Sequence, residues 1–146
     1  MTTTTEDSSR LRAGDLVWVD LRPARGREQG GVRSAVVLTD DEFHRRSDAA
    51  IICPITSNTA PWPTKVLLPI GLKVKGAVLV DQIRTLDRLA RGFRAIDRVP
   101  DEILNEVRGR LATLIGINLI AISRGSEGAR GGPFDMGRAA SLHPPA

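Results

Sequence analysis

Cysteine occurs once in 146 residues, at Cys53, so an intramolecular disulfide and a multi-cysteine zinc site are both excluded. Histidine occurs twice. His44 lies in a polar connector and His143 in a Gly- and Pro-rich stretch near the C-terminus, so neither reads as a catalytic base. No window approaches the roughly 18 uninterrupted apolar residues of a membrane span, and the opening MTTTTEDSSRLR lacks the basic-then-apolar order of a signal peptide. A cytoplasmic location is therefore expected. Tyrosine is absent, and three phenylalanines with two tryptophans make up the whole aromatic stock. Three motifs are also missing: the Gly-x-x-x-x-Gly-Lys phosphate loop, the Gly-x-Ser-x-Gly elbow and the His-Glu-x-x-His metal helix.

Arginine is what the chain has in quantity: 18 against 3 lysines, for a net charge of +4. Its planar fork of donors suits phosphate better than a lysine point charge. The excess permits a nucleic-acid partner without proving one, and a biased genome composition would give the same ratio. With 41% apolar and 26% charged residues, the chain has material for one modest core.

Residues 1–12 carry no periodicity and read as a disordered leader. The stretch 14–39, GDLVWVDLRPARGREQGGVRSAVVLT, reads as strands over 16–20 and 34–39 joined by a loop over 21–33. That loop is far longer than a hairpin needs, and long loops inside compact domains are functional or disordered. Residues 40–48 suggest a short helical turn or surface loop. A third strand over 49–54 is expected to stop at Pro54, which cannot donate to a ladder. A second loop over 55–64 carries Thr56, Ser57, Asn58 and the Pro61-Trp62-Pro63 triplet. Further strands are expected over 65–68, 77–80 and 82–86, and the arginine-rich stretch 84–98 reads as a solvated surface. Apolar residues Ile103, Leu104, Val107, Leu111, Leu114 and Ile115 recur at three- and four-residue steps. They predict a helix over 101–115 with one apolar face, ended by Gly116. Residues 117–122 extend that helix or add a strand, and 123–146 read as a flexible tail. The domain proper is thus 13–122: five or six short strands and a C-terminal helix, a mainly β, α+β fold of the small SH3-like barrel type.

Candidate chemistry follows from what is left. Asp15, Asp20 and Asp81 sit at strand ends, where carboxylates cap turns more often than they bind metal, so no metal or other cofactor is expected. Arg33, Glu28, Thr56, Gln29 and Gln82 remain, all on loops or strand ends, and none looks like an activated nucleophile. Such a set suits RNA, which carries its own nucleophile in the 2′-hydroxyl and needs only alignment and charge stabilisation. The same residue types also occur in loops that bind without catalysing.

Four stretches occur in order over residues 14–116: GDLVWVDLRPARGREQGGVRSAVVL, ICPITS, VLVDQIRTLD and a helix ending in LATLIG. Together they resemble the MazF/PemK family of toxin endoribonucleases. The strand followed by Gly-x-Glu-Gln-x-Gly-x-Arg and an apolar strand is the distinctive block. The resemblance implies a CcdB/PemK-like barrel, a homodimer and metal-independent, sequence-selective cleavage of single-stranded RNA. It further implies a MazE-like antitoxin whose acidic segment occupies the RNA groove. The family's essential arginine and threonine fall on Arg33 and Thr56, its loop Glu-Gln pair on Glu28 and Gln29, and its Asp-Gln pair on Asp81 and Gln82. Two positions depart from the pattern: Ser34 where proline is common and Val32 where histidine is often found.

On this reading Arg33 stabilises the transition-state phosphate, since a guanidinium holds its proton too tightly to act as a base. Thr56 donates to a non-bridging oxygen, or merely forms a turn after Pro54. Glu28 accepts the 2′-hydroxyl proton, or merely orients Arg33. Gln29, Arg25, Ser57, Trp62 and Gln82 are the expected RNA contacts, with Trp62 either stacking on a base or plugging the loop between its prolines. Arg27 and the arginines of 84–98 are further candidates to line the strand's path. Trp18 and Cys53 are expected in the core. The competing function is a non-catalytic toxin of the same fold that poisons a protein target such as a topoisomerase. An inactive nucleic-acid-binding module is a third.

Overall fold

The structure, a computed structural model, describes residues 11–22 and 31–118. The tail expected over 123–146 lies outside the described residues. By contact the chain divides into two compact units, residues 1–107 and 108–146. The first unit contains seven antiparallel strands: β1 (Asp15–Asp20), β2 (Val32–Val37), β3 (Ala49–Thr56), β4 (Lys65–Leu67), β5 (Ala77–Leu79), β6 (Arg84–Asp87) and β7 (Arg94–Arg98). Short helices α1 (Asp41–Arg46) and α2 (Arg88–Arg91) and a 3-10 turn (Val80–Gln82) connect them, and α3 (Asp101–Leu114) follows. The α+β class with a C-terminal helix is as expected, and all six expected strands form. Among the described residues the ladder runs β4-β5-β3-β2-β1-β7, with β6 also paired to β3, and does not close into a ring.

β3 is the hub. Its first half pairs β6 from Ala49↔Asp87 to Ile52↔Arg84, and its last two residues pair β5 through Ile55↔Val78 and Thr56↔Ala77. The strand therefore runs through Pro54, where the sequence predicted a stop, and the hydrogen-bonding direction explains why. Ile51 bonds toward β2, its carbonyl accepting from Leu38 N and its N–H donating to Thr39 Oγ1. Backbone groups alternate sides along a strand, so Pro54, three residues on, faces the opposite edge. There β6 has ended and β5 has not begun, so the missing N–H costs no ladder bond.

Alternation also builds the core. Val17, Val19 and Leu21 share a face with Ala35, Val37, Ala50, Ile52 and Leu86, and with Leu11 they form one buried cluster. Leu11 falls within the expected leader but is buried, and its carbonyl accepts from His44 Nδ1 at 2.6 Å. His44 thereby turns out to be a buried tie rather than a connector residue, its Nε2 meeting Thr39 Oγ1 at 2.7 Å. α1 supports it with an Asp40 cap on Phe43 N and acidic residues in its first turn. Trp18 is the opposite case. It pairs across to Ser34 and Arg94, on the face away from Val17 and Val19, and is 36% exposed instead of core.

β7 lies inside the stretch read as a solvated surface. It pairs β1 with a register shift between Leu16 and Val17 and ends the ladder on that side. Charge on a terminal strand discourages pairing with other chains, and it is this charge that hid RAIDR from a hydrophobic count. α3 opens with Ile103 and Leu104 donating to Pro100 O, and its Leu104 and Val107 are buried. In the second unit Gly116, at φ +83°, ends the helix: its N–H bonds Thr113 O while Ile117 N bonds Ala112 O. That pair is the Schellman arrangement expected of a glycine just past a helix. Leu114 and Ile115 are exposed, so the single apolar face predicted for the helix does not stay buried to its end. Residues 117 and 118 are neither helix nor strand, and 119–122 lie outside the described residues.

Candidate active site

Arg33 is the second residue of β2, exposed, and paired with Val19 of β1. Thr56 is the last residue of β3 and buried. The β2–β3 register is Val37↔Ile52, Val36↔Cys53 and Ala35↔Pro54. That pairing ends at Ala35↔Pro54, so Arg33 lies two residues before the last paired position of β2 and Thr56 two residues after that of β3, where β3 has passed on to pair β5. By strand alternation Arg33 is on the face of Ala35 and Val37. The two residues that chemistry singled out thus lie on adjacent strands, each two residues beyond the same end of the β2–β3 pairing. Ser34 sits inside β2, buried and paired with Trp18, so the departure from proline leaves the strand that carries Arg33 intact.

Thr56 does form the side-chain turn: its Oγ1 accepts from Asn58 N at 3.1 Å. That bond uses a lone pair and leaves the hydroxyl proton for another acceptor. The backbone oxygen of Thr56 is packed so closely on Gly76 that a Cβ there would lie 2.1 Å from it. Ser57 follows on the exposed loop, whose shape is fixed by Lys65. Its Nζ donates to Asn58 O at 2.9 Å and to Ala60 O at 3.1 Å, while Lys65 N bonds Trp62 O. Trp62 is 64% exposed, so it is not a hydrophobic plug between its prolines. Gln82 ends the 3-10 turn on the opposite edge of β3, beside the point where Cys53 Sγ meets Val80 O. Arg25, Glu28 and Gln29, with Arg27, lie outside the described residues.

Two electrostatic results narrow the chemistry. Burial, and secondarily the charge of Asp81, push the Cys53 thiol up to about 12. A thiol that stays protonated is no nucleophile at neutral pH. Asp20 is half-buried, and hydrogen bonds from the Arg22 side chain and backbone hold its carboxyl far below the usual carboxylate range. Among the described residues, no three His, Cys, Asp or Glu side chains gather as a metal site would require.

The arginines of 84–98 are mostly not the solvated surface expected. Arg84 Nη1 donates to Leu21 O at 2.8 Å, and Arg88 Nη2 to His44 O and Ser47 O at 3.0 and 2.7 Å. Arg91 Nη1 donates to Asp20 O at 2.8 Å and also to Arg22 O. Arg98 pairs with Asp15 at 3.1 Å. Nothing in the spacing of these arginines announced carbonyl partners forty or more residues away in the chain.

A model of the family described as PemK-like, MazF-like toxin of type II toxin-antitoxin system matches residues 12–115. The chain belongs to this family. Endoribonuclease PemK of Escherichia coli is 37% identical to it over 112 residues, covering 73% of this chain and 84% of that protein. The crystal structure of MazF from Deinococcus radiodurans superposes with a TM-score of 0.70 at 39% identity, covering 73% of this chain and 97% of that one. A MazE–MazF structure from the same organism gives 0.65 at 34% identity, covering 73% and 96%. This PemK/MazF-family chain carries the arginine and threonine of the resemblance, Arg33 and Thr56, in adjacent strands of the matching fold, and the Asp81-Gln82 pair in the 3-10 turn after β5.

Proposed function

We infer that the protein is the toxin of a type II toxin–antitoxin pair and a sequence-selective endoribonuclease that cuts single-stranded mRNA without a metal. One observation carries the reading: Arg33 and Thr56, far apart in the chain, lie on adjacent strands just past the same end of their pairing, in a member of the PemK/MazF family. The scissile phosphate lies between them. The RNA 2′-oxygen attacks phosphorus and the bond to the 5′-oxygen breaks; that oxygen takes a proton from solvent water, leaving a 2′,3′-cyclic phosphate and a 5′-hydroxyl. Arg33 and the Thr56 hydroxyl neutralise the charge that builds on the non-bridging oxygens. Glu28 removes the 2′-hydroxyl proton, and Gln29, Arg25, Ser57, Trp62 and Gln82 hold the strand. Trp62, exposed on a loop braced by Lys65, suits base stacking.

The toxin works in the cytoplasm as a homodimer and is silenced by a MazE-like antitoxin, as the MazE–MazF structures of its D. radiodurans relative suggest. Purified protein incubated with a long RNA in EDTA, followed by mapping of the ends, tests the reading. Cyclic-phosphate and 5′-hydroxyl ends at a recurring sequence are expected. Binding without turnover would favour a nucleic-acid-binding module, and neither binding nor cutting would favour a poison of a protein target.

The base assignment has its own signature. A carboxylate base works only when deprotonated, so kcat is expected to fall as pH drops through the Glu28 ionisation, with a single-proton slope. Glu28→Gln should remove that limb. Asp20 cannot supply it, since Arg22 keeps its carboxylate charged well below that range. An acid limb unchanged in Glu28→Gln takes Glu28 out of the role.

A further inference from the structure

Resting on the reading above, we propose that Arg84 and Arg91 are positioning residues that hold the end of β1 and, through it, set Arg33 against Thr56. In the ladder β6 is separated from β1 by both β3 and β2. Arg84 nevertheless reaches from β6 to Leu21 O, and Arg91, at the end of the α2 turn that follows β6, reaches Asp20 O and Arg22 O. Three successive carbonyls at the end of β1 thus each accept from a guanidinium. Bonds from a charged donor are among the stronger hydrogen bonds, and here they join two strands that share no ladder.

What those carbonyls control is the start of β2. Leu21 N donates to Gly31 O at 2.8 Å, and the ladder then pairs Asp20↔Val32 and Val19↔Arg33. Displacing the end of β1 therefore displaces Arg33. The other anchor of the brace is equally placed: Arg84 is opposite Ile52 on β3, the strand that ends at Thr56. Arg84 thus ties the strand aligned with Arg33 to the strand that bears Thr56. The open ladder is drawn together by side chains at the end where the phosphate sits. A guanidinium engaged on backbone carbonyls is also poorly disposed to bind phosphate, which separates this role from that of a surface arginine lining the RNA path.

Arg84→Met and Arg91→Met test the brace, with Arg45→Met on α1, whose ion pairs are with Asp41 and Glu42, as the control. Each brace variant is expected to lower kcat about ten- to hundredfold, the penalty of misplacing a catalytic group by about 1 Å. KM should stay within about twofold, and the salt dependence of RNA binding should not change. Amide exchange should quicken at Leu21 and over residues 31–33 but not at the core positions Ile52 and Val107. Arg45→Met should alter none of these. If a methionine variant does not fold, Arg84→Lys and Arg91→Lys are read by the same measures. A raised KM with a salt slope shallower by about 0.7 per residue would mark direct phosphate contacts instead and overturn the proposal. The exchange measurement needs no RNA. Unchanged exchange in both variants overturns the brace whatever the cleavage result, whereas wild-type protein that cuts no RNA overturns the nuclease reading.

Discussion

Arg33→Ala is expected to reduce kcat for RNA cleavage by about 10³-fold, the loss typical of removing one donor from a preorganised anion site. The fold should barely register the change. Arg33 is exposed, its strand is held by backbone pairing with β1, and alanine is compatible with that strand. Exposed substitutions of this kind shift stability by about 0.5 kcal/mol or less. Arg33→Lys separates charge from geometry. It keeps the positive charge but loses the planar fork, so an intermediate rate is expected with RNA binding close to that of wild type. Single-turnover kinetics on a short RNA, beside a thermal melt, measures both quantities. An Arg33→Ala variant that retains cleavage within tenfold of wild type would remove this residue from the chemistry.

Gly76→Ala is expected to damage the same site from the opposite side. Gly76 has φ +136°, a region that a side chain enters only with strain, and an added Cβ would meet Thr56 O at 2.1 Å and Ile55 Cγ2 at 3.2 Å. The carbonyl is backbone in a paired strand and cannot swing aside cheaply. Strain and overpacking together are expected to cost about 3 kcal/mol, or roughly 10–20 °C in Tm for a unit of this size. Gly71→Ala is the matched comparison: its φ of +105° is equally unsuited to a side chain, but nothing lies within 4 Å of the added carbon. It should cost only the strain, about 1 kcal/mol. At a temperature where both variants are folded, Gly76→Ala should also cut RNA more slowly, because Thr56 has moved. Equal losses in the two variants would show that the close approach to Thr56 is not what matters.

The strands that could be read from the sequence are those whose burial writes a hydrophobic pattern. β1, β2, β3 and β5 are apolar runs bounded by glycine, proline or acidic residues. All four form, but β2 begins at Val32 and β3 runs on to Thr56, so Arg33 and Thr56, read as loop residues, lie in strands. β7 could not be read because it is a charged terminal strand: its Arg94, Asp97 and Arg98 look like surface until β1 is placed beside them. Pro54 misled for a related reason. Whether a proline ends a strand depends on which edge its missing N–H faces, and that edge is set by β5 and β6 rather than by the local sequence. Trp18, expected in the core, is 36% exposed because the β7 residue paired with it, Arg94, is itself exposed and leaves it uncovered on that side.

At the candidate site, Arg33 and Thr56 were legible from residue chemistry and family resemblance, and their place at the same end of adjacent strands came only with the β2–β3 pairing. The carbonyl partners of Arg84 and Arg91 were invisible because a guanidinium seeking backbone oxygen leaves no trace in residue type. Gly76 was hidden likewise. A glycine in a basic turn looks like any other turn glycine until the strand packed on it is known.

The central claim is that this PemK/MazF-family protein aligns an RNA phosphate between Arg33 and Thr56 and lets the RNA supply its own nucleophile. The most direct measurement replaces the 2′-hydroxyl by hydrogen at the single scissile nucleotide of an otherwise unchanged RNA, with EDTA present. Binding is expected within about twofold of the unmodified strand, with no detectable cleavage. Cleavage of the 2′-deoxy substrate at a comparable rate would contradict it, since the nucleophile would then have to come from water or from the protein.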